Sequence, residues 1–403
     1  MTLRSLSVLV VGAGIAGLAL ARMLALRGAD VTVLEQAPAI TEVGAGLQIS
    51  PNGTAVLRAI GLDNALRRTG TPVARRVILR DARDRAVTSL DLSDLDRPDD
   101  YLLVHRADLI DVLAEGARAA GAQLRLLHQV SEVRAGPRPR VISAQGACHA
   151  AELVIAADGL HSRLGAALNV RGAPRFTGHV AWRATIPETE AADAVEVFMG
   201  PGRHLVTYPL RGGRMRNIVA VEERRDWVPE SWSHCDDPDN LRAAFAAMGP
   251  RVQALTGAVT QVNLWGLFRH PVAARWTGEN VALVGDAAHP TLPFLGQGAN
   301  MALEDAWVLA RLLDDMPDRA QALRRYQDTR RPRVTRAINA ASGNAWKYHL
   351  KTPVAPLAHL GLSVLGRTAP RLLTGGFRWL YDHDVTGGAS LVAQASSSTQ
   401  TGT

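Results

Sequence analysis

The chain has 403 residues, 47% of them hydrophobic and 21% charged, and a formal net charge of +7 at pH 7. That balance excludes wholesale disorder, and the length allows one large two-layered unit or two to three closely joined domains. The positive charge argues for no nucleic-acid partner. It is carried by scattered Arg, with Lys only at 347 and 351, and Arg76, Arg85, Arg125 and Arg224 stand near acidic residues.

In chain order, Ser7 to Val11 is a short Val-rich run of the kind buried on both faces of a parallel sheet. Gly12 to Gly17 is a turn, Ile15 to Arg27 has helical spacing and Asp30 to Leu34 is a second strand, together a βαβ unit. The apolar run Val8 to Ala21 is therefore read as strand and helix. It is shorter than the roughly 20 residues a bilayer span needs, and is not read as a targeting segment.

Ala107 to Ala120 reads as a helix, Leu124 to Leu127 as a strand, and Leu153 to Ala157 as a buried strand ending at Asp158-Gly159. From Arg175 to Arg269 short β-like runs take over, among them Val195 to Met199, His204 to Pro209 and Ile218 to Glu222. Gly and Pro turns separate them, which predicts a mixed, largely antiparallel second sheet. Asn280 to Val284 returns to the buried-strand type and ends at Gly285-Asp286, and Asn300 to Leu313 reads as a helix. Pro353 to Leu365 is apolar but interrupted by His359 and two prolines, as in a packed helix rather than an anchor. The tail from Ser396 to Thr403 is expected to be disordered. Cys148 and Cys235 make no disulfide framework, and no CxxC or HExxH occurs. A reduced, cytoplasmic protein with no metal site and no integral membrane segment is expected.

Gly12-Ala13-Gly14-Ile15-Ala16-Gly17 is a GxGxxG sequence between a strand and a helix, with Glu35 at the end of the next strand, 21 residues after Gly14. Gly12 permits the tight turn, Gly14 lets a pyrophosphate approach the backbone, and Gly17 lets helix and strand pack closely. The helix N-terminus offers N–H groups to phosphates. Glu35 can accept from free ribose hydroxyls, so FAD and NAD both fit. Two further motifs, Ala157-Asp158-Gly159-Leu160-His161-Ser162-Arg163 and Gly285-Asp286-Ala287-Ala288-His289-Pro290, place an Asp at a strand end, where open α/β sheets bind ligands.

In this order the three motifs resemble those of the flavoprotein aromatic hydroxylases, from about residue 6 to about residue 385. Gly44 to Asn52, Ala181-Trp182-Arg183-Ala184 and Trp379 to Asp384 are similar to the salicylate hydroxylase, 3-hydroxybenzoate 6-hydroxylase and 6-hydroxynicotinate 3-monooxygenase branch. The resemblance implies FAD as cofactor and NADH or NADPH as co-substrate. It also implies a flavin C4a-hydroperoxide formed from O2, and a small phenolic or hydroxypyridine acid as substrate, with or without decarboxylation. By the same resemblance Asp286 would bond the ribityl chain, Asp158 and Gly159 would serve FAD and the nicotinamide cofactor, and Arg106 would contact FAD. Gly296, Gln297, Gly298, Ala299 and Asn300 would lie against the isoalloxazine, with the following helix aiming its dipole at the flavin. No second GxGxxG is present, as in a family whose nicotinamide cofactor binds transiently.

The fold class is then α/β with an α+β second domain. A Rossmann-like FAD-binding domain (1-71, 99-173 and 276-345) is interleaved with a mixed-sheet substrate domain (72-98 and 174-275). C-terminal helices (346-390) and a tail (391-403) follow. The expected assembly is a monomer or homodimer.

His204 and Tyr208 stand four apart on an expected strand and so share a face. Both are candidate catalytic groups. An imidazole that removes the proton of a substrate hydroxyl makes the ring electron-rich. The alternative for His204 is a structural strand histidine. Gln297 is a third candidate, as a substrate hydrogen bonder or as a loop amide serving the backbone. Arg183 and Arg211 are candidate carboxylate partners or solvated arginines. Two other functions stay open at this stage: a flavin epoxidase or tailoring oxygenase for a larger apolar metabolite, and a flavin-binding protein without catalysis.

Overall fold

The computed structural model describes residues 3–40, 45–169, 172–188, 193–226, 230, 234–351, 353–389 and 391. Gly44 and the tail Ser396 to Thr403 lie outside them. The fold is mixed α/β and is organised on two large sheets.

The first sheet has six strands in the order Thr277–Gly278, Val281–Leu283, Leu153–Ala156, Ser7–Val11 (β1), Asp30–Leu34 (β2) and Gln123–Arg125. All neighbours pair in parallel except the first two. Val8, Leu9, Val10 and Val11 are buried because β1 is central and covered on both faces. The helix Ile15–Ala25 (α1) is buried from Ala16 to Leu24, since it packs against both the helix Arg106–Ala119 and the helix Gly298–Asp315. Even Arg22 is buried; its guanidinium donates to the carbonyls of Ile60 (2.8 Å) and Gly116 (2.6 Å).

The second sheet has eight strands: Cys235–Asp236, Val262–Arg269, Arg175–Pro187, Met215–Glu223, Arg203–Leu210, Ala194–Gly200, Arg76–Arg80 and Ala86–Asp91. It is antiparallel except where Ala194–Gly200 meets Arg76–Arg80. Side chains alternate across it with a period of two. Trp182, Phe198 and Leu205 pack into one core with Leu241 and Phe245 of the helix Pro238–Phe245 and Val252 of the helix Pro250–Gly257. Arg183, His204, Val206 and Tyr208 face the opposite side, toward the first sheet. A two-stranded ribbon, Gly46–Ile49 antiparallel to Leu102–His105, runs between the two units.

The structure differs from the expected elements in a few places. The strand expected over Leu124 to Leu127 stops at Arg125, and Leu127 has φ 60°. The strand expected from Asn280 begins at Val281, since Asn280 has φ 54°. Neither left-handed residue can sit in a strand. Pro353 to Leu365 does form a helix, Val354–Thr368, packed by one face: Leu362 lies against the core, but none of its residues is fully buried. Val354, Leu357, Leu360 and Val364 stay exposed. The helix lies along the edge strand Ala86–Asp91 by one side only, with Gly366 against Thr88. No helix among the described residues is long and apolar enough to cross a membrane.

Candidate active site

Three motifs distant in sequence meet at the carboxyl edge of the parallel sheet. β1 leads to Gly12, its neighbour Leu153–Ala156 to Asp158-Gly159, and the next strand, Val281–Leu283, to Gly285-Asp286. Each glycine of the first motif has its own reason. Gly12 has φ 101°, and a Cβ there would stand 2.5 Å from the Ala157 carbonyl oxygen. A Cβ on Gly17 would stand 2.0 Å from the Gly12 carbonyl oxygen, so helix and turn touch through it. A Cβ on Gly14 would meet nothing within 4 Å. Gly14 opens, with Ile15 and Ala16, on a cavity of about 650 Å³ between the two sheets. No acidic residue occupies the first turn of α1, so its N-terminal N–H groups suit the phosphates of a dinucleotide.

Glu35 follows β2 directly and accepts from the backbone N–H of Ala13 (2.7 Å) and of Ala37 (2.9 Å). It sits beside the glycine turn rather than in the cavity wall. Asp158 accepts from the Arg163 N–H at 3.0 Å and so shapes its own turn, while Gly159, at φ 70°, lines the cavity. Asp286 also lines it. Its carboxylate is accessible from the cavity yet enclosed by protein, and burial raises its pKa against the pull of His289 and Arg106. Arg106 lines the same space from the start of its helix. A cavity wall with an open helix N-terminus, Arg106 and an enclosed Asp286 fits a dinucleotide such as FAD.

Gly296, Gln297, Gly298 and Ala299 line the cavity where the helix Gly298–Asp315 begins. The two amides at this turn are already engaged. Gln297 donates to Ser50 Oγ at 3.0 Å and accepts from Asn52 Nδ2 at 3.3 Å. Asn300 donates to the carbonyls of Gln48 (3.0 Å) and Gly296 (2.9 Å) and accepts from the Ser50 N–H (3.0 Å). Asn300 is fully buried and does not face the cavity. These bonds tie the segment 46–52 to the helix.

A buried ionic cluster holds that helix. Glu304 accepts from Asn52 (2.7 Å), Arg330 (2.5 Å) and Arg333 (2.7 Å). Burial alone would raise the Glu304 carboxyl, but the two guanidiniums hold it down at about 2. Asp305 bonds His289, the Gly285 N–H (3.1 Å) and Arg330 (2.8 Å). His289 therefore has a structural task.

On the opposite wall, His204 and Tyr208 both line the cavity, as their spacing predicts. His204 is 2% exposed, and its Nδ1 lies 2.7 Å from His349 Nε2. Burial, then the neighbouring imidazoles of His349 and His179, hold its pKa well below that of an ordinary histidine. Burial pushes the Tyr208 phenol up, tempered by Arg183 and by hydrogen bonds with Gln48 and Asn217. Arg183 is enclosed, with its guanidinium 4.4 Å from the Trp265 ring, and burial brings its pKa down to about 10. Arg211, the other expected carboxylate partner, is instead bonded to Asp108 (2.6 and 3.0 Å) and does not line the cavity. His349 and its partner Glu223 escaped the sequence reading, because no local spacing links them to His204.

A family model described as "FAD binding domain" matches residues 5–341. The chain is 38% identical over 363 residues to a 3-amino-4-hydroxybenzoate 2-monooxygenase of Streptomyces cremeus, covering 86% of this chain and 89% of that one. It is 31% identical over 386 residues to a 3-hydroxybenzoate 6-hydroxylase of Aquipseudomonas alcaligenes, covering 93% and 97%. Among solved structures it is similar to Klebsiella pneumoniae HpxO complexed with FAD and uric acid. There the TM-score is 0.80 and the identity 27%, over 91% of this chain and 95% of that one.

Proposed function

The chain belongs to the FAD binding domain family, and on that footing we propose that it hydroxylates a small phenolic or hydroxypyridine acid. The atoms balance as substrate, O2, NAD(P)H and a proton going to hydroxylated substrate, NAD(P)+ and water. The observation that carries this reading is one cavity that joins a dinucleotide cradle to an imidazole, a phenol and a guanidinium.

In this reading Gly14, Arg106, Gly159, Asp286, Gly298 and Ala299 hold FAD, with Asp158 and Glu35 shaping its turns. FAD, when bound, supplies the transfer of electrons from NADH or NADPH to O2 that yields an electrophilic oxygen. His204 is neutral near pH 7, because burial disfavours its cation, so it can accept the proton of a substrate hydroxyl. The ring carbon beside or opposite that hydroxyl then carries the electron density the reaction needs. Arg183 offers a desolvated positive charge to the substrate carboxylate and fixes which carbon faces the cofactor. Tyr208, held in its neutral form by burial, donates a hydrogen bond and keeps the ring in plane. Gln297 supports the wall through Ser50 and Asn52. The apolar walls exclude water, which would otherwise compete for the activated oxygen.

A second reading draws on the apolar arm of the same cavity, formed by Val77, Leu79, Leu90, Leu362, Leu373 and Phe377. That arm would suit a larger apolar metabolite, which needs no base at His204.

The deciding experiment follows NADH and NADPH consumption in air by the FAD-saturated protein. The panel is 3-hydroxybenzoate, 3-amino-4-hydroxybenzoate, salicylate and 6-hydroxynicotinate, with hydrogen peroxide measured in parallel. Stimulated consumption with little peroxide is expected for at least one acid. No stimulation by any of them refutes the phenolic-acid reading and favours the apolar one.

A further inference from the structure

His204 is the inner end of a row of side chains that leads out of the cavity. Its Nδ1 lies 2.7 Å from His349 Nε2. The other nitrogen of His349, Nδ1, lies 3.3 Å from Glu223 Oε1, and Lys351 Nζ donates to Glu223 Oε2 at 3.0 Å. Side-chain exposure rises outward, from 1% at His349 to 39% at Glu223 and 65% at Lys351. Three segments bring the row together. His204 comes from the strand Arg203–Leu210, Glu223 from the end of its neighbour Met215–Glu223, and His349 from just beyond the helix Arg319–Tyr348. The backbone is pinned there as well. The Gly202 N–H donates to the His349 carbonyl at 3.3 Å, and the Glu223 N–H to the Gly202 carbonyl at 2.8 Å.

We propose that His349 and Glu223 form a proton exit, taking from His204 the proton it removes from the substrate hydroxyl and passing it to solvent. The proposal rests on the reading of His204 as the base. One pair of tautomers satisfies every contact, with Nδ1–H on both rings. His204 then donates to His349 Nε2, His349 donates to Glu223, and His204 Nε2 remains the acceptor for the substrate. As the substrate O–H bond breaks, its oxygen keeps the electron pair and its proton bonds to His204 Nε2. The Nδ1 proton of His204 passes to His349 Nε2, and that of His349 to Glu223 Oε1, which releases it to water. No other bond changes. The rings end as the opposite tautomers, and one proton travelling inward, consumed when water forms, resets them.

The exit answers a difficulty in the site. A base whose cation is disfavoured by burial accepts a proton readily only if another acceptor relieves it. The other groups facing the row are not hydrogen-bonded into it. His179, from the strand Arg175–Pro187, has its ring 5.2 Å from that of His349, but its hydrogen bonds go to Thr177, whose carbonyl lies 3.0 Å from its Nδ1. Tyr348, with its ring 5.2 Å from His204, is held neutral by burial, and Phe294 is apolar. Lys351 keeps Glu223 ionised, against the effect of its partial burial.

The test uses the FAD-loaded enzyme and whichever acid of the panel drives NAD(P)H consumption fastest. His204→Gln, His349→Gln, His349→Gly and Glu223→Gln are compared in kcat, KM, pH profile and solvent deuterium isotope effect. His349→Gln is expected to lower kcat about tenfold or more, with KM and FAD content within about twofold of the parent, and to enlarge the isotope effect. Added imidazole should restore part of the rate to His349→Gly, and Glu223→Gln should show a milder loss of the same kind. Full activity in His349→Gln while His204→Gln is inactive overturns the exit and leaves the base in place. A loss that imidazole does not restore and that leaves the isotope effect unchanged marks a structural histidine and also overturns it. Full activity in His204→Gln removes the base and the exit together.

Discussion

Gly46 presses its bare Cα against Tyr208: a Cβ at position 46 would stand 2.7 Å from the Tyr208 ring, and equally close to the Asn217 side chain. The same Asn217 accepts from the Gly46 N–H at 2.8 Å. Gly46→Ala must therefore displace the phenol or its partner. Because placement errors of about 1 Å are costly to turnover, kcat should fall about tenfold or more while FAD content is unchanged. Steady-state kinetics beside the flavin absorbance of the purified variant would check this. Unaltered kcat would mean that Tyr208 is not positioned by this contact.

Gly14 and Gly17 should fail in different ways. A methyl at Gly17 meets the Gly12 carbonyl at 2.0 Å, whereas one at Gly14 meets no protein atom within 4 Å. Gly17→Ala should lower the melting temperature of the FAD-free protein. Gly14→Ala should leave that melt nearly unchanged but weaken FAD binding, because its methyl occupies the space of the phosphates. Thermal melts with and without FAD separate the two.

Arg183 should matter for affinity. Replacing it with Met keeps much of its bulk but removes the charge offered to a substrate carboxylate. Hydrogen bonds to charged groups are worth about 1.5–3 kcal/mol, so KM for an active phenolic acid should rise roughly 10–100-fold. The corresponding amide substrate should lose little. An equal loss for acid and amide would take the carboxylate away from Arg183.

Stability should fall as the pH drops below neutrality. His204, His179 and His349 all have pKa values held below the usual histidine value, first by burial, with His349 at about 4. Between pH 6.5 and about 4 the unfolded chain therefore binds protons that the folded one refuses, and stability is lost across that window as the pH falls. His349→Gln should flatten the slope of melting temperature against pH there. A slope identical to the parent's would show that His349 titrates normally.

Breaking the buried cluster under the cofactor wall should cost more than any surface change. Arg330 is 1% exposed, and its guanidinium faces both Glu304 and Asp305. Arg330→Met takes from two buried carboxylates the one cation that bonds both, so a loss of about 3–5 kcal/mol is expected from denaturant unfolding. A loss below about 1 kcal/mol would mean that Arg333 and Asn52 at Glu304, and His289 and the Gly285 N–H at Asp305, suffice to hold the pair.

Much of the cradle was legible because its signals are local. Gly12, Gly14 and Gly17 differ in task within one turn, and His204 and Tyr208 share a face through the two-residue period of a strand. The roles of Gln297 and Asn300 were less legible. Both were expected against the cofactor, but which amide turns inward depends on Ser50 and Asn52, some 250 residues earlier in the chain. His349 gave no signal at all, because its meaning comes from contact with two strands far from it in sequence. Arg183 and Arg211 looked alike in the sequence, and only burial beside Trp265 or pairing with Asp108 tells them apart. The exposed side of the helix Val354–Thr368 was missed for a similar reason. Apolar spacing announces a helix, but not whether anything covers it.

The meeting of three motifs on adjacent strands has a consequence for the order in which the molecule is made. The glycine turn is synthesised well before Asp286 and the helix Gly298–Asp315 that buttresses α1, which come last among the cradle's parts. A nascent chain holds only a fraction of the dinucleotide site until that helix has emerged. Loading therefore waits for it, and ligand bound there holds segments about 270 residues apart together, so that its affinity stabilises the whole fold rather than a single element.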